Sequence, residues 1–359
     1  MRLLICCFSL LFIAACMSGQ HQGPAQHVAS TRLAAAGTAA ATLAAGLAAD
    51  RIVVRDGAAL PLERWLPEGP PRAIVLGIHG FNDYSHGFAG PAEMLARHGI
   101  ATFAYDQRGF GRAPERGRWA GIEPMVTDAL TAMALLRERY PGLPLYVMGE
   151  SMGAAVAVLA ANRAGPAGAD GYILLAPAVW GRTTMNVFER MGLWFADLFP
   201  GVEWSPRALP VTIRPSDNVA MLRELYNDPL VIKTARSDTL NGLVDLMGAA
   251  LDAAPHFTAP AFILYGEQDA VVPRLPVARF VAALPREATE RQRLALYPAG
   301  YHLLLRDLEG PMVTADVLAW IDNPRAPLPS GADREARARL DGRRPNGEAP
   351  NLSAAEPAS

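Results

Sequence analysis

Residues 143–165 read LPLYVMGESMGAAVAVLAANRAG. The first part is a short apolar run led by a proline, with the length of a buried strand; the last part is long and alanine-rich, which favours a helix. Between them stand Gly149, Glu150, Ser151, Met152 and Gly153. A serine with a glycine two residues to either side, at a strand-to-helix junction, marks a sharp turn that holds a hydroxyl up at the sheet edge. A Cβ at either glycine would clash with the neighbouring strand or helix. The helix after the serine aims its free N–H groups and the positive end of its dipole at the same point.

The same strand-then-helix rhythm runs outward in both directions. IVVRDG and LPLERWLP read as an opening antiparallel pair; AIVLGI, IATFAY, LPLYVM, GYILLAP, AFILYG and RLALYP are short apolar runs separated by helical patterns. Apolar runs of that kind are buried on both faces, so the alternation predicts a mostly parallel, doubly wound sheet covered by helices on both sides. Ligands bind beyond the carboxyl ends of such strands. The residues there are His79, Gly80 and Phe81; Asp106; Ser151; Glu267, Gln268 and Asp269; and Tyr301 and His302. A serine, an acid and a histidine thus fall at three strand ends.

A serine hydroxyl needs a base to become a nucleophile, and histidine titrates near neutral pH. Of the seven histidines, His21 and His27 lie near the N-terminus, His79 belongs to the loop after the first parallel strand, His86 and His98 flank the first helix, and His256 precedes a strand. His302 alone follows a late strand and precedes a helix, and is the expected base. Asp269 is the expected third member, orienting the imidazole. Glu267 is its rival but sits closer to the strand, while Asp245 and Asp252 fall in helical pattern and read as solvated. The backbone N–H groups of Met152 and Phe81 are the expected oxyanion donors.

Composition narrows the alternatives. The net charge is -2, so there is no basic excess for nucleic acid. The three cysteines, Cys6, Cys7 and Cys16, all lie in the first twenty residues. No thiolate zinc site or HExxH pair exists elsewhere, and no metal or cofactor is expected. Residues 1–16 combine Arg2, an apolar stretch and the box Ile13-Ala14-Ala15-Cys16. The stretch is shorter than the ~20 residues needed to span a bilayer and has the length of a signal-peptide core. The box resembles a bacterial lipoprotein cleavage site, which implies acylation of Cys16 and an extracytoplasmic, membrane-anchored protein, at the outer membrane or periplasmic face. Residues 17–50, rich in Ala and Gly, read as a tether; residues 324–359, rich in Pro, Arg and Ala, read as a disordered tail.

With these residues placed, HGFNDYSHGF, YDQRGFGRAP, GESMGAAVA, YGEQDAVVP and YHLLLRD together resemble the monoacylglycerol lipase and lysophospholipase branch of the α/β-hydrolases, the group labelled serine aminopeptidase-like. The likeness spans residues 51–323. It implies an α/β-hydrolase fold with a helical cap insertion at residues 179–234. It also implies Ser151 as nucleophile, Asp269 as acid, His302 as base, and Phe81 and Met152 as oxyanion donors. NDPL, residues 227–230, resembles a segment that follows the cap in this branch. Ala154 departs from the second glycine many relatives carry. Dehalogenases and epoxide hydrolases, which place aspartate at the elbow, are excluded by Ser151.

Within the cap, Met185, Phe188, Met191, Phe195 and Leu198 share one helical face, with Asn186, Glu189, Arg190 and Asp197 largely opposite. That face is expected either to pack on the hydrolase body or to line an acyl tunnel or dip into a membrane. A lipid anchor beside an apolar cap favours a lipid ester, and the cap lacks the acidic cluster an aminopeptidase would want for a substrate amine. The expected activity is hydrolysis of monoacylglycerols, lysophospholipids or similar single-chain esters through an acyl-enzyme. A general carboxylesterase, thioesterase or acyltransferase would use the same residues, and a non-catalytic lipid-binding lipoprotein could share the fold.

Overall fold

The structure is a computed structural model that describes residues 45–205 and 213–342. The chain enters one sheet at its antiparallel edge through β1 (Gly46–Leu47), β2 (Arg51–Val53) and β3 (Ala59–Trp65). Then β4 (Ala73–Ile78), α1 (Ala89–Arg97), β5 (Ile100–Tyr105), α2 (Ile122–Arg139), β6 (Leu145–Glu150), α3 (Met152–Ala164) and β7 (Gly171–Leu175) alternate. The chain leaves for the cap, formed by α4 (Val187–Asp197), β8 (Glu203–Trp204), α5 (Val219–Asn227) and β9 (Ala235–Arg236). It returns through α6 (Ser237–Asp252), β10 (Ala261–Gly266), α7 (Arg274–Ala283), β11 (Gln292–Tyr297), α8 (Gly310–Asp322) and α9 (Ala336–Leu340).

The sheet order is β1-β2-β3-β5-β4-β6-β7-β10-β11, and every pair from β5 to β11 is parallel. The strands β4, β5, β7 and β10 are buried at every position, which accounts for their uninterrupted apolar sequences. One face of the sheet packs against α2, α3, α6 and α7; the other packs against α1 and α8. On the second face Trp320 of α8 is fully buried, stacked on Phe262 with centroids 5.7 Å apart and meeting Tyr146 edge-on at 5.8 Å. This is the mostly parallel, doubly wound sheet that the alternation predicted, in the α/β-hydrolase arrangement that the resemblance implied.

Three expectations need correction. Gly46 and Leu47, assigned to the tether, pair with Val53 and Ile52 as the sheet's first strand. Residues 324–342, assigned to a disordered tail, are folded onto the edge strand β11. Leu328 and Ala332 are buried in the α1/α8 layer, whereas Ala336 and Leu340 are buried in the layer on the other side. The segment therefore crosses the sheet edge, and the Leu296 N–H donates to the Ala332 carbonyl at 2.9 Å. Ion pairs hold it: Arg293–Asp333 at 2.6 Å and Arg339–Glu267 at 2.6 Å. Buried Asp316 accepts from Tyr297 Oη at 2.8 Å and from the Ser330 hydroxyl. Covering an edge strand in this way also removes a site for intermolecular pairing.

The third correction concerns the cap. A ribbon, Glu203 opposite Arg236 and Trp204 opposite Ala235, closes its base two residues beyond the expected boundary. Asn186 caps α4 and Glu189 reciprocates, so the helix starts where the sequence reading placed polar residues. However, Phe188, Met191, Phe195 and Leu198 face solvent, together with Val187, Trp194, Phe199 and Val202. The inner face is made instead by Met185, Glu189, Leu193 and buried Ala196. The Cys16 assignment, residues 1–44 and residues 343–359 lie outside the described residues.

Candidate active site

Ser151 stands between β6 and α3 with φ 52° and ψ −113°. That is a strained conformation for any residue with a Cβ, and it persists only where its surroundings over-determine it. Here they do. The Ser151 N–H donates to the Leu175 carbonyl at 2.9 Å, and its carbonyl accepts from Ala154 at 3.0 Å and from Ala178 at 3.1 Å. The two glycines are obligatory. A Cβ on Gly149 would lie 2.5 Å from the Gly153 carbonyl oxygen, and one on Gly153 would lie 1.9 Å from that of Ile78 in β4. The pattern in the sequence is thus a packing requirement between α3 and both neighbouring strands.

Asp269 and His302 arrive from the ends of β10 and β11. Gly266 lets those loops touch, since a Cβ there would sit 2.3 Å from the Gly300 carbonyl oxygen. Asp269 Oδ1 accepts the N–H groups of Val271 at 2.7 Å and Val272 at 3.0 Å, which fixes the carboxylate. Its Oδ2 accepts from His302 Nδ1 at 2.8 Å, leaving Nε2 to face the cavity. Burial pulls the imidazole toward its neutral form, but the charge and hydrogen bond of Asp269, helped by Glu150, override that and raise its pKa above 6.5. The rival acid, Glu267, points away and pairs with Arg339 of the C-terminal segment. Asp245 pairs with Arg182 on the surface, at 3.1 Å.

Ser151 and His302 line one cavity of about 660 Å³ beneath the cap. Among the described residues the two make no hydrogen bond to each other in this conformation, a looseness common before substrate binds. Phe81 lines the same cavity, and Met152 opens α3, where the first N–H groups of a helix have no partner within it. The Phe81 loop is held by His79. Its Nδ1 donates to the Gly80 carbonyl at 2.8 Å, and its Nε2 accepts the Gln107 N–H at 2.9 Å. Burial keeps that imidazole neutral, the form this pattern requires. His79 therefore shapes the backbone of the loop in which the sequence places it. Most of the rest of the cavity wall is apolar and includes Trp180, Met185, Leu193, Leu243, Val244 and Met247, with Glu189 of α4 and the charges of Asp83, Glu150 and Arg306 as polar exceptions.

Sequence reasoning missed the buried charges beside Ser151 and His302. Arg306 pairs with Asp83 at 2.6 Å and with Glu150 at 2.8 Å, all three nearly inaccessible. Glu150 was a visible signal: a carboxylate closing an otherwise apolar buried strand requires a cation nearby. Among the described residues no group of three or more His, Cys, Asp or Glu side chains could hold a metal ion, and no helix is long and apolar enough to cross a membrane.

Comparison with known proteins gives the family and the fold. The family described as Serine aminopeptidase, S33 matches residues 69–309. The chain is 29% identical over 279 residues to the monoglyceride lipase of Homo sapiens, covering 76% of this chain and 88% of that one. It is 26% identical over 278 residues to the monoacylglycerol lipase of Mycolicibacterium smegmatis, covering 74% and 93%. Among solved structures, a soluble variant of monoglyceride lipase from Saccharomyces cerevisiae superposes with a TM-score of 0.63 at 22% identity, covering 74% of this chain and 92% of that one.

Proposed function

Because the chain belongs to the serine aminopeptidase S33 family, with its α/β-hydrolase fold and hydrolytic chemistry, we propose that it hydrolyses single-chain lipid esters, monoacylglycerols or lysophospholipids, by a serine mechanism. The observation that carries this reading is the shared cavity: Ser151 on a strained elbow and His302 braced by Asp269 open into one apolar chamber under the cap. Ser151 Oγ attacks the ester carbonyl carbon while His302 Nε2 takes its proton. Asp269 holds the imidazole in the tautomer that leaves Nε2 free and stabilises the imidazolium. The N–H groups of Met152 and Phe81 receive the developing oxyanion, each worth roughly 3 kcal/mol of transition-state stabilisation. The tetrahedral intermediate collapses, His302 gives its proton to the departing alcohol, and water releases the acid by the same steps. The relatives named as monoglyceride lipases support the ester class, and the aliphatic wall around Val244 and Met247 supports an acyl chain.

The proposed partner surface is a membrane. Acylation of Cys16 would hold the enzyme at an extracytoplasmic leaflet, and the outward apolar face of α4, with Trp194 64% exposed, would meet the lipid. The test is a panel of esters varying in acyl length and head group, with and without micelles, alongside fluorophosphonate labelling. Long-chain monoesters are expected to be cleaved best, with a gain on micelles, and the label is expected on Ser151. Best cleavage of short soluble esters with no micelle effect defeats the lipid reading; equal labelling of Ser151→Ala defeats the serine reading. Membrane association unchanged in Cys16→Ser defeats the anchor.

A further inference from the structure

We propose that Arg306 is a positioning residue whose guanidinium locks the loops bearing Ser151, Phe81 and His302 into one register; the proposal rests on the serine-hydrolase reading above. Its Nη2 is shared by two carboxylates, Asp83 Oδ2 at 2.6 Å and Glu150 Oε2 at 2.8 Å. Each partner belongs to a different catalytic loop. Glu150 is the residue before Ser151, Asp83 lies two residues after Phe81, and Arg306 lies four after His302. Within its own loop the Arg306 N–H donates to the Leu303 carbonyl at 2.8 Å, so its main chain is fixed to the residue that follows His302. The Arg306 carbonyl accepts Asn218 Nδ2 at 3.1 Å, which ties the cap helix α5 to the same point.

The fit is close. At Gly87 a Cβ would stand 2.9 Å from Asp83 Oδ2 and 3.3 Å from Arg306 Nη1, so only glycine leaves the pair its room without displacement. A buried cation bridging two buried carboxylates is held by strong charge-assisted bonds that water does not loosen. Lysine carries the charge but is a point donor without the planar fork, so it reproduces only part of the contact. The same network sets the field at His302. The charged groups acting on that imidazole are Asp269 and Glu150, which favour its protonation, and Arg306, which opposes it.

The test compares wild type, Arg306→Met, Arg306→Lys, Glu150→Gln and Asp83→Asn for kcat and KM on a soluble p-nitrophenyl ester, for fluorophosphonate labelling rate and for the pH profile of kcat/KM. Loss of register by an ångström costs about 100-fold in rate, so Arg306→Met is expected to lose about that much in kcat and labelling. Its KM should change less than about threefold, and Arg306→Lys should recover part of the loss. The neutral, same-sized Glu150→Gln and Asp83→Asn each remove one arm and should lose about tenfold. They carry the test alone where Arg306→Met does not fold. Glu150→Gln should move the acid limb to lower pH and Arg306→Met to higher pH, opposite shifts that a merely structural role does not produce. Folded variants that keep wild-type kcat, or an acid limb that stays in place in both, overturn the proposal. An unlabelled wild type would instead defeat the serine reading, whatever the variants do.

Discussion

Replacing Gly153 with alanine tests the elbow by adding a single methyl group. That Cβ would lie 1.9 Å from the Ile78 carbonyl oxygen, 2.5 Å from its carbon and 2.8 Å from the His79 carbonyl oxygen. All three are backbone atoms, so no side chain can swing aside. Reaching even the 3.0 Å that real Cβ contacts respect requires α3 and β4 to part by about 1.1 Å. The α3 side carries the Met152 N–H and the β4 side leads to the Phe81 N–H, so the displacement falls on the spacing of the two proposed oxyanion donors. A misplacement of that size costs about 100-fold in rate, and overpacking of a tight interior costs about 1–3 kcal/mol of stability. For a body of this size each kcal/mol lowers Tm by about 2–4 °C. The control is Gly90→Ala in α1, where the added Cβ meets nothing within 4 Å. That change should leave activity intact and move stability by no more than about 1 kcal/mol, because the gain in helix propensity is opposed by the Pro91 ring, which disfavours a Cβ-bearing neighbour in helical conformation. Ester hydrolysis and thermal unfolding measured on both variants decide the matter. A Gly153→Ala enzyme with wild-type kcat and Tm refutes the packing argument.

The proposed base, His302, must be neutral to act and its pKa is raised, so kcat/KM should rise with pH through a midpoint above 6.5 and be lost as pH falls through it; a pH-rate profile with its midpoint at or below 6.5 contradicts this. The linked stability runs the other way: the contribution of protonated His302 is complete below 6.5 and fades as pH rises through the folded value. Asp269→Asn should lower kcat by about 10⁴-fold by favouring the wrong tautomer, whereas Glu267→Gln should retain most of its activity; comparable losses in both would reopen the choice of acid. Leu340→Ala should cost about 2–5 kcal/mol in urea unfolding, because Leu340 is buried in the folded C-terminal segment; a variant of unchanged stability would return that segment to disorder.

The elements legible in the sequence were those whose physics is local. A strand buried on both faces shows as an unbroken apolar run, and β4, β5, β7 and β10 all appeared in that way, with β6 and β11 as shorter apolar stretches bounded by Glu150 and Arg293. Gly149 and Gly153 were legible because only close backbone contact explains two glycines around a serine. The choice of His302 and Asp269 followed from strand ends alone, and the structure joins them at 2.8 Å. What escaped reading depended on distant partners. Residues 324–342 look disordered because their apolar residues are sparse; Leu328, Ala332, Ala336 and Leu340 recur every fourth position or so and find their cover only against the sheet edge. The orientation of α4 stayed open between packing inward and facing outward because periodicity shows which residues share a face but not which way that face turns; its more apolar face is the exposed one. The Arg306 network joins residues from opposite ends of the domain, and no spacing rule links them.

The φ of 52° at Ser151 has a consequence for selection. A left-handed backbone at a residue with a side chain costs of order 1 kcal/mol or more, and glycine would be relieved of it. The chain that keeps its hydroxyl is therefore less robust than its own Ser151→Gly version. On the proposed serine mechanism, any screen that rewards heat resistance alone would drift toward a protein without its nucleophile. Only a requirement for turnover keeps the serine where the backbone least wants it.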